Sequence, residues 1–334
     1  MKRVGNLIDK IASPENLRLA FTKAVRGKQD RKEVIEFRSD FDINITRLSY
    51  QLSSGSVALG NYHFFHVCDP KKRLICAASF PERVIHHAIM NICEAVLERF
   101  AVFDSYACRR GKGLRRAVKK AQYFSRKNNW YLKLDIHKYF DSINHRVMRD
   151  LLRKRFKDEA VLQLFSDLLA TYHITPGIGV PIGNLISQHL ANFYLGLMDH
   201  WIKEERKIRC YLRYMDDFVL FAESKDQLKD EFQQLTNFLG NHLALSIKDD
   251  WSLNRCSTGI PYLGFHIFPG SVRLGKRSKM RFIEKFRQYE FLYKSGIWSE
   301  EELSQHITPL VEFTRNADSF AFRNNIVRRY GVVS

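Results

Sequence analysis

Two carboxylates stand side by side in the segment Cys210-Tyr211-Leu212-Arg213-Tyr214-Met215-Asp216-Asp217-Phe218-Val219-Leu220-Phe221. Apolar and aromatic arms of strand composition, with turn-tolerant aspartates between them, predict a β-hairpin carrying Asp216 and Asp217 at its tight turn. A lone Asp-Asp pair is ordinarily a solvated turn, but these arms are too apolar to lie on a surface. Far upstream, Asp135 closes a second strand-type segment, Trp130 to Ile136. Three carboxylates at the ends of adjacent strands repel one another by several kcal/mol unless a cation neutralises them. Hard oxygen donors suit Mg2+, and a pair of such ions can clamp both oxygens of an in-line phosphoryl displacement. The chemistry expected of Asp135, Asp216 and Asp217 is therefore nucleotidyl transfer.

Elements able to position these residues are legible around them. Residues 1–55 are polar and charged with helical stretches and carry no motif. Tyr62 to Ala78 reads as a hairpin turning at Asp69-Pro70-Lys71-Lys72, and Pro81 opens a helix with Ile85, Ile89, Ile92 and Val96 on one face. Arg109-Arg110-Gly111-Lys112-Gly113-Leu114-Arg115-Arg116 is a basic loop entering another helix. Its glycines allow close approach to a phosphate, so Arg109, Arg110, Lys112, Arg115 and Arg116 are expected to contact an RNA backbone. The loop lacks the Walker spacing, which removes an ATPase reading. A helix is expected from Asn144, a loop over Gly177 to Gly183, then helices through Leu190 and Trp201 and through Leu228 and Leu239. Beyond Lys276 the chain is basic and helical. Helices alternating with short strands over a central sheet predict an α+β fold.

Composition narrows the partners. The formal charge is +18 over 334 residues, which favours a polyanion because Lys and Arg contacts to phosphate release counterions. Charge alone would equally suit an architectural RNA binder. An apolar content of 45% with 25 Phe argues for packed cores over a disordered basic tail. The six cysteines are scattered with no metal-ligand spacing, and the histidines form no cluster, so zinc is not expected. Scattered thiols, no signal peptide and no membrane-length apolar run lead to the expectation of a cytoplasmic protein.

From roughly residue 60 to 270 the chain resembles the reverse transcriptases. The resemblance rests on Tyr214-Met215-Asp216-Asp217 and on Asp135 followed by Ile136-His137-Lys138-Tyr139-Phe140. It implies a right-hand polymerase with a central palm β-sheet and a helical C-terminal thumb. The parts expected are an N-terminal extension over 1–60, fingers over 61–125 with part of 160–190, palm over 126–255, and primer-grip hairpin and thumb over 256–334. Two Mg2+ ions, replaceable by Mn2+, would be held by Asp135, Asp216, Asp217 and the carbonyl of Ile136. Phe140, five places after Asp135, would lie under the incoming sugar and leave no room for a 2′-hydroxyl. Arg73, with Lys72 beside it, would grip the triphosphate through its planar fork. Lys248 would lie near the leaving pyrophosphate and donate a proton. Tyr262-Leu263-Gly264 would hold the primer end.

The segment Gly179-Val180-Pro181-Ile182-Gly183-Asn184-Leu185-Ile186-Ser187-Gln188 narrows the resemblance further. Retroviral and group II intron enzymes usually carry Pro-Gln-Gly followed by Ser-Pro; here Ile182 replaces the Gln and Gln188 the Pro. That form is similar to the reverse transcriptases of diversity-generating retroelements, of bacterial and phage origin, and the absence of room for a nuclease or maturase region after the thumb agrees. Such an enzyme would copy a template-repeat RNA with errors concentrated at adenines, and the resemblance implies a bacterial host cell. Its partners would be dNTPs, the RNA–cDNA duplex and an oligomeric accessory variability protein, with no membrane. Ile182 would then bear on dNTP positioning and Gln188 on the template. Retron or abortive-infection-type reverse transcriptases, a non-catalytic RNA-binding scaffold on a polymerase fold, and a basic structural RNA binder stay open as alternatives.

Overall fold

The computed structural model describes residues 2–68 and 72–331. In chain order, α1 (Ile8–Ala12), α2 (Pro14–Ala24), α3 (Lys32–Ser39) and α4 (Phe41–Ser54) precede a hairpin, β1 (Tyr62–Cys68) and β2 (Lys72–Ala78), and the long α5 (Phe80–Glu98). Then come α6 (Leu114–Lys127), β3 (Trp130–Asp135), α7 (Tyr139–Ser142), α8 (His145–Arg153), α9 (Glu159–Ala170), α10 (Leu185–Tyr194) and α11 (Gly196–His200). A second hairpin, β4 (Tyr211–Tyr214) and β5 (Asp217–Ala222), leads to α12 (Lys225–Leu243). The chain closes with β6 (Ser252–Arg255), β7 (Ile260–Tyr262), β8 (Phe265–Ile267), β9 (Val272–Leu274), α13 (Lys276–Lys294), α14 (Glu300–Thr314) and α15 (Phe320–Tyr330). The expected turn over Asp69-Pro70-Lys71 lies outside the described residues.

Two compact units share these elements. The first comprises Met1–Arg109, Asp135–Lys207 and Gln234–Asp249. Its helices start where the sequence supplies caps. Ser13 Oγ accepts from Asn16 N at 3.2 Å with Pro14 in the first turn of α2, and the Asn144 side chain accepts from Arg146 N and Val147 N to open α8. The N-terminal helices belong to this unit. Buried Asn16 donates from Nδ2 to the carbonyls of Ile11 and Ala88, and Phe21, Phe37, Phe41 and Phe80 stack edge and face around one another. A fully buried side of α5, including Val84, Ile85, Ala88, Ile89 and Cys93, supplies the core. The hairpin β1–β2 pairs Tyr62 with Ala78 and Val67 with Arg73.

The second unit comprises Arg110–Leu134, Ile208–Gln233 and Asp250–Ser334. Its main sheet has the order β4-β5-β3-β6, and a smaller antiparallel sheet runs β7-β8-β9. Strands β4 and β5 are buried almost throughout, which explains a continuous apolar run in place of an alternating pattern. Helix α6 lays Ala117, Val118, Ala121 and Phe124 inward and leaves its lysines and arginines outward. The C-terminal helices close over their own cluster of Phe282, Phe286 and Ile326, with Leu310, Val311 and Phe322 packed against it. Ser299 and Glu302 form a capping box at the start of α14.

Candidate active site

The hairpin β4–β5 joins through a two-residue turn, because Tyr214 pairs directly with Asp217 and leaves Met215 and Asp216 between them. Asp216 therefore tips the turn while Asp217 is the first residue of β5, a refinement of the expectation that both sit in the turn. Met215 adopts a φ of +57°, a left-handed conformation uncommon for a side chain of its size. Arg213 holds it there: fully buried in β4, it donates from Nη1 to the Met215 carbonyl at 2.8 Å. Lys133 Nζ lies 3.2 Å from Asp217 Oδ1, and the hydroxyl of buried Tyr262 donates to the Asp217 carbonyl at 3.4 Å. The neighbour of β5 in the sheet is β3, the strand that ends on Asp135.

Asp135 is anchored by a short pairing of its own. Its carbonyl accepts from Lys248 N at 2.9 Å, His137 N donates to the Ser246 carbonyl at 2.8 Å, and Ile136 bridges Ile247. That pairing carries the Lys248 side chain back onto the carboxylate, with Nζ 2.5 Å from Asp135 Oδ1. The sequence reading set Lys248 near the pyrophosphate; in the structure its ammonium is the counter-charge of Asp135. Ile136 is fully buried. Lys138 takes a φ of +43° and starts the one-turn α7 that carries half-buried Phe140. The Phe140 carbonyl accepts from Val180 N at 2.9 Å, and the Ile182 carbonyl accepts from Cys76 N at 2.8 Å. The loop before α10 is thereby stitched both to α7 and to β2. Gly183 permits this with a φ of +113°, where a Cβ would come within 2.7 Å of Ile75 Cγ2. Ile182 is half-buried, and burial raises the thiol pKa of Cys76 above its ordinary value.

Arg73 and Lys72 project from β2 into solvent, and so does Gln188 on α10, whose Oε1 accepts from the Cys108 thiol at 3.5 Å. Arg110, Arg115 and Arg116 are exposed and Lys112 is half-buried. Arg109 departs from the expected RNA track. Its Nε donates to both oxygens of Glu98, at 2.8 and 3.0 Å, and its Nη1 to the carbonyls of Val102 and Ser105. A guanidinium so committed braces its own loop. Tyr262 departs as well: it is 1% exposed and its hydroxyl reaches the Asp217 carbonyl, while Leu263 (φ +51°) and exposed Gly264 (φ +87°) form the β7–β8 turn.

Among the described residues, no three His, Cys, Asp or Glu side chains draw together closely enough to hold an ion. Carboxylates repel at close range, and here Asp135 and Asp217 each take a lysine as counter-charge. The donors nonetheless suit a divalent ion, being hard carboxylate oxygens that already attract positive charge. Two residues escaped the sequence reading. Lys133 stands two places before Asp135, hence on the same face of β3, and strand alternation could have flagged it. Arg213 was visible as a lone cation inside an apolar strand, a position tolerated only with buried acceptors.

This architecture, a four-stranded sheet bearing an Asp-Asp hairpin next to a strand that ends in Asp, is that of the right-hand polymerases. The reverse transcriptase (RNA-dependent DNA polymerase) model matches residues 69–267, more than half the chain, and the protein belongs to that family. It is 22% identical to the putative COX1/OXI3 intron 1 protein of Saccharomyces cerevisiae over 79% of this chain and 39% of that protein. Protein YkfC of Escherichia coli is 23% identical over 68% of this chain and 72% of its own length. Group II intron-encoded protein LtrA of Lactococcus lactis is 26% identical over 50% of this chain and 27% of its own. The chain thus spans well under half of the length of the two intron-encoded relatives. Among solved structures, apo telomerase from Candida tropicalis superposes with a TM-score of 0.51 at 12% identity, covering 87% of this chain and 64% of the telomerase chain. Telomerase from Candida albicans in complex with a fragment of telomeric RNA gives 0.50 at 11% identity, covering 80% and 56%.

Proposed function

We propose that the protein is an RNA-directed DNA polymerase that makes error-prone cDNA, mutagenic at adenines, from a template-repeat RNA. The observation that carries the polymerase reading is the Tyr214–Asp217 hairpin on the strand beside β3. In this reading Asp135, Asp216 and Asp217 would hold two divalent ions, Mg2+ or Mn2+, which when bound would supply positive charge to the transferring phosphoryl group. Arg73 binds the triphosphate oxygens, and the Phe140 ring excludes a 2′-hydroxyl. Lys248 leaves Asp135 and passes an Nζ proton to the pyrophosphate oxygen as the bond from the α-phosphorus breaks. Fingers, palm and thumb take the ranges expected from the sequence, with residues 1–60 as an N-terminal extension.

The diversity-generating reading is supported by Ile182 and Gln188. A Gln in place of Ile182 would add a hydrogen bond near the nucleotide, worth about 1 kcal/mol or roughly five-fold in positioning. An isoleucine there loosens the aligned nucleotide most, because the bond is best made in the correct geometry. An oligomeric accessory variability protein would serve as partner, in the cytoplasm of a bacterial cell; among the described residues no helix is long and apolar enough to cross a membrane. The intron-encoded relatives favour a second reading, in which the template is an intron RNA. The two separate in cDNA synthesis on the RNA flanking the gene, with and without the neighbouring small protein. Adenine-concentrated errors that fall in Ile182→Gln support the first. An adenine error frequency unchanged by Ile182→Gln removes it.

A further inference from the structure

We propose that the end of the main sheet away from the aspartates carries a second anion site, which binds the backbone of single-stranded RNA outside the stretch being copied. A cavity of about 420 Å3 opens in the second unit between the end of α6, the start of β3 and the end of β6. That volume is within the range of sites for a single small ligand. Its wall includes Trp130, the first residue of β3, which lies roughly 17 Å along the strand from Asp135 at a rise of 3.3 Å per residue.

Three cations from three separate segments converge on this place. Arg255 is the cross-strand partner of Trp130 and sets its guanidinium 5.3 Å from the indole centroid. Lys225, at the start of α12, sets its ammonium 5.4 Å from the same ring. Arg126 donates from Nε to the Pro269 carbonyl at 2.6 Å, which fixes its fork at the cavity wall. Among the described residues none of the three has a carboxylate within salt-bridge distance. Glu223, the acidic group adjoining the cavity, instead accepts from Asn129 Nδ2 at 2.9 Å. A helix C-terminus explains a basic residue at 126, and an edge strand explains one at 255. Neither explains why cations from β6 and α12 flank one indole while a third, from α6, stands in the wall of the same cavity, all without counter-charge.

Chemistry selects the ligand. Planar forks match phosphate oxygens, while Asn128, Asn129 and Ser257 offer the amide and hydroxyl groups that meet a ribose 2′-hydroxyl. The inference goes beyond polymerisation and rests on the reading only in taking RNA as the polyanion, so its test must not depend on catalysis. The full-length protein and its Arg126→Ala/Arg255→Ala variant would be titrated, across salt, with an RNA–DNA primer–template whose template overhang is short and with the same duplex bearing a long single-stranded RNA extension. Expected is weaker binding of the extended probe alone, with its log–log salt slope reduced by about 1.4 units, 0.7 for each single-strand phosphate contact. Binding and extension of the short-overhang probe should be unchanged, which also verifies that the variant folds. Equal losses on both probes, or none on either, overturn the proposal, as does an acidic protein that competes for Trp130 where the RNA does not. Failure of the wild type to extend any primer would instead remove the polymerase reading and leave the binding comparison intact.

Discussion

At the scale of single residues, the carboxylates proposed as catalytic serve charge before packing. Asp135 and Asp217 are partly exposed and each faces a lysine, so neither fills a core. Asp216→Asn or Asp135→Asn should reduce primer extension by thousands-fold or more, since loss of a metal clamp removes several kcal/mol of transition-state stabilisation. RNA binding, followed by filter retention, should persist in both variants. A double variant that still extends primers with Mg2+ would show the site to be elsewhere. His87 makes a different residue-level prediction. Burial, reinforced by Lys23, His86, Lys28 and Arg83, lowers its pKa from 6.5 to about 4. The folded protein therefore keeps it neutral where the unfolded chain would take a proton. Its contribution to stability is complete above pH 6.5 and is lost as pH falls toward 4, on the order of 1 kcal/mol after solvent screening. His87→Gln should flatten that part of the acid limb in urea melts.

At the scale of elements, the hairpin that presents Arg73 depends on a helix. Glu82, in the first turn of α5 and 1% exposed, accepts from Gly60 N at 3.0 Å and Asn61 N at 3.2 Å, just before β1 begins. The Tyr62 hydroxyl bonds Thr171 at 2.6 Å, and burial pushes its pKa up to about 12. Glu82→Ala removes the acceptor for both amides and should cost about 1–3 kcal/mol in chemical denaturation. It should also speed amide exchange along β1, whereas Glu82→Gln, which retains an acceptor oxygen, should cost less. Equal exchange rates in wild type and Glu82→Ala would mean that the hairpin root is held by β-pairing alone.

At the scale of the whole molecule, a formal charge of +18 makes nucleic-acid affinity salt-dependent, but not every cation shares in it. Arg115 and Arg116 are exposed on the first turn of α6, and replacement of each by Ala should lower the log–log salt slope of RNA binding by nearly one unit. Arg109→Ala should leave the slope unchanged and lower thermal stability instead, because its guanidinium is spent on Glu98 and two carbonyls. Parallel salt titrations and melts of the three variants separate the roles.

The hairpin at Asp216 and Asp217, the strand ending on Asp135 and the helices on either side were legible because each is a local pattern. Strand composition, turn chemistry and apolar spacing act over a few residues, so the sequence by itself determined the elements and the class of chemistry. Only the tertiary structure decided which charges are committed. Lys248 folds back on Asp135 and Lys133 reaches Asp217, while Tyr262, expected at the primer end, is buried with its hydroxyl on the Asp217 carbonyl. A cation reads the same in sequence whether it meets solvent, a carboxylate or a phosphate. Its partner is set by segments distant along the chain, and the low dielectric of their contact, not residue type, decides what the charge does.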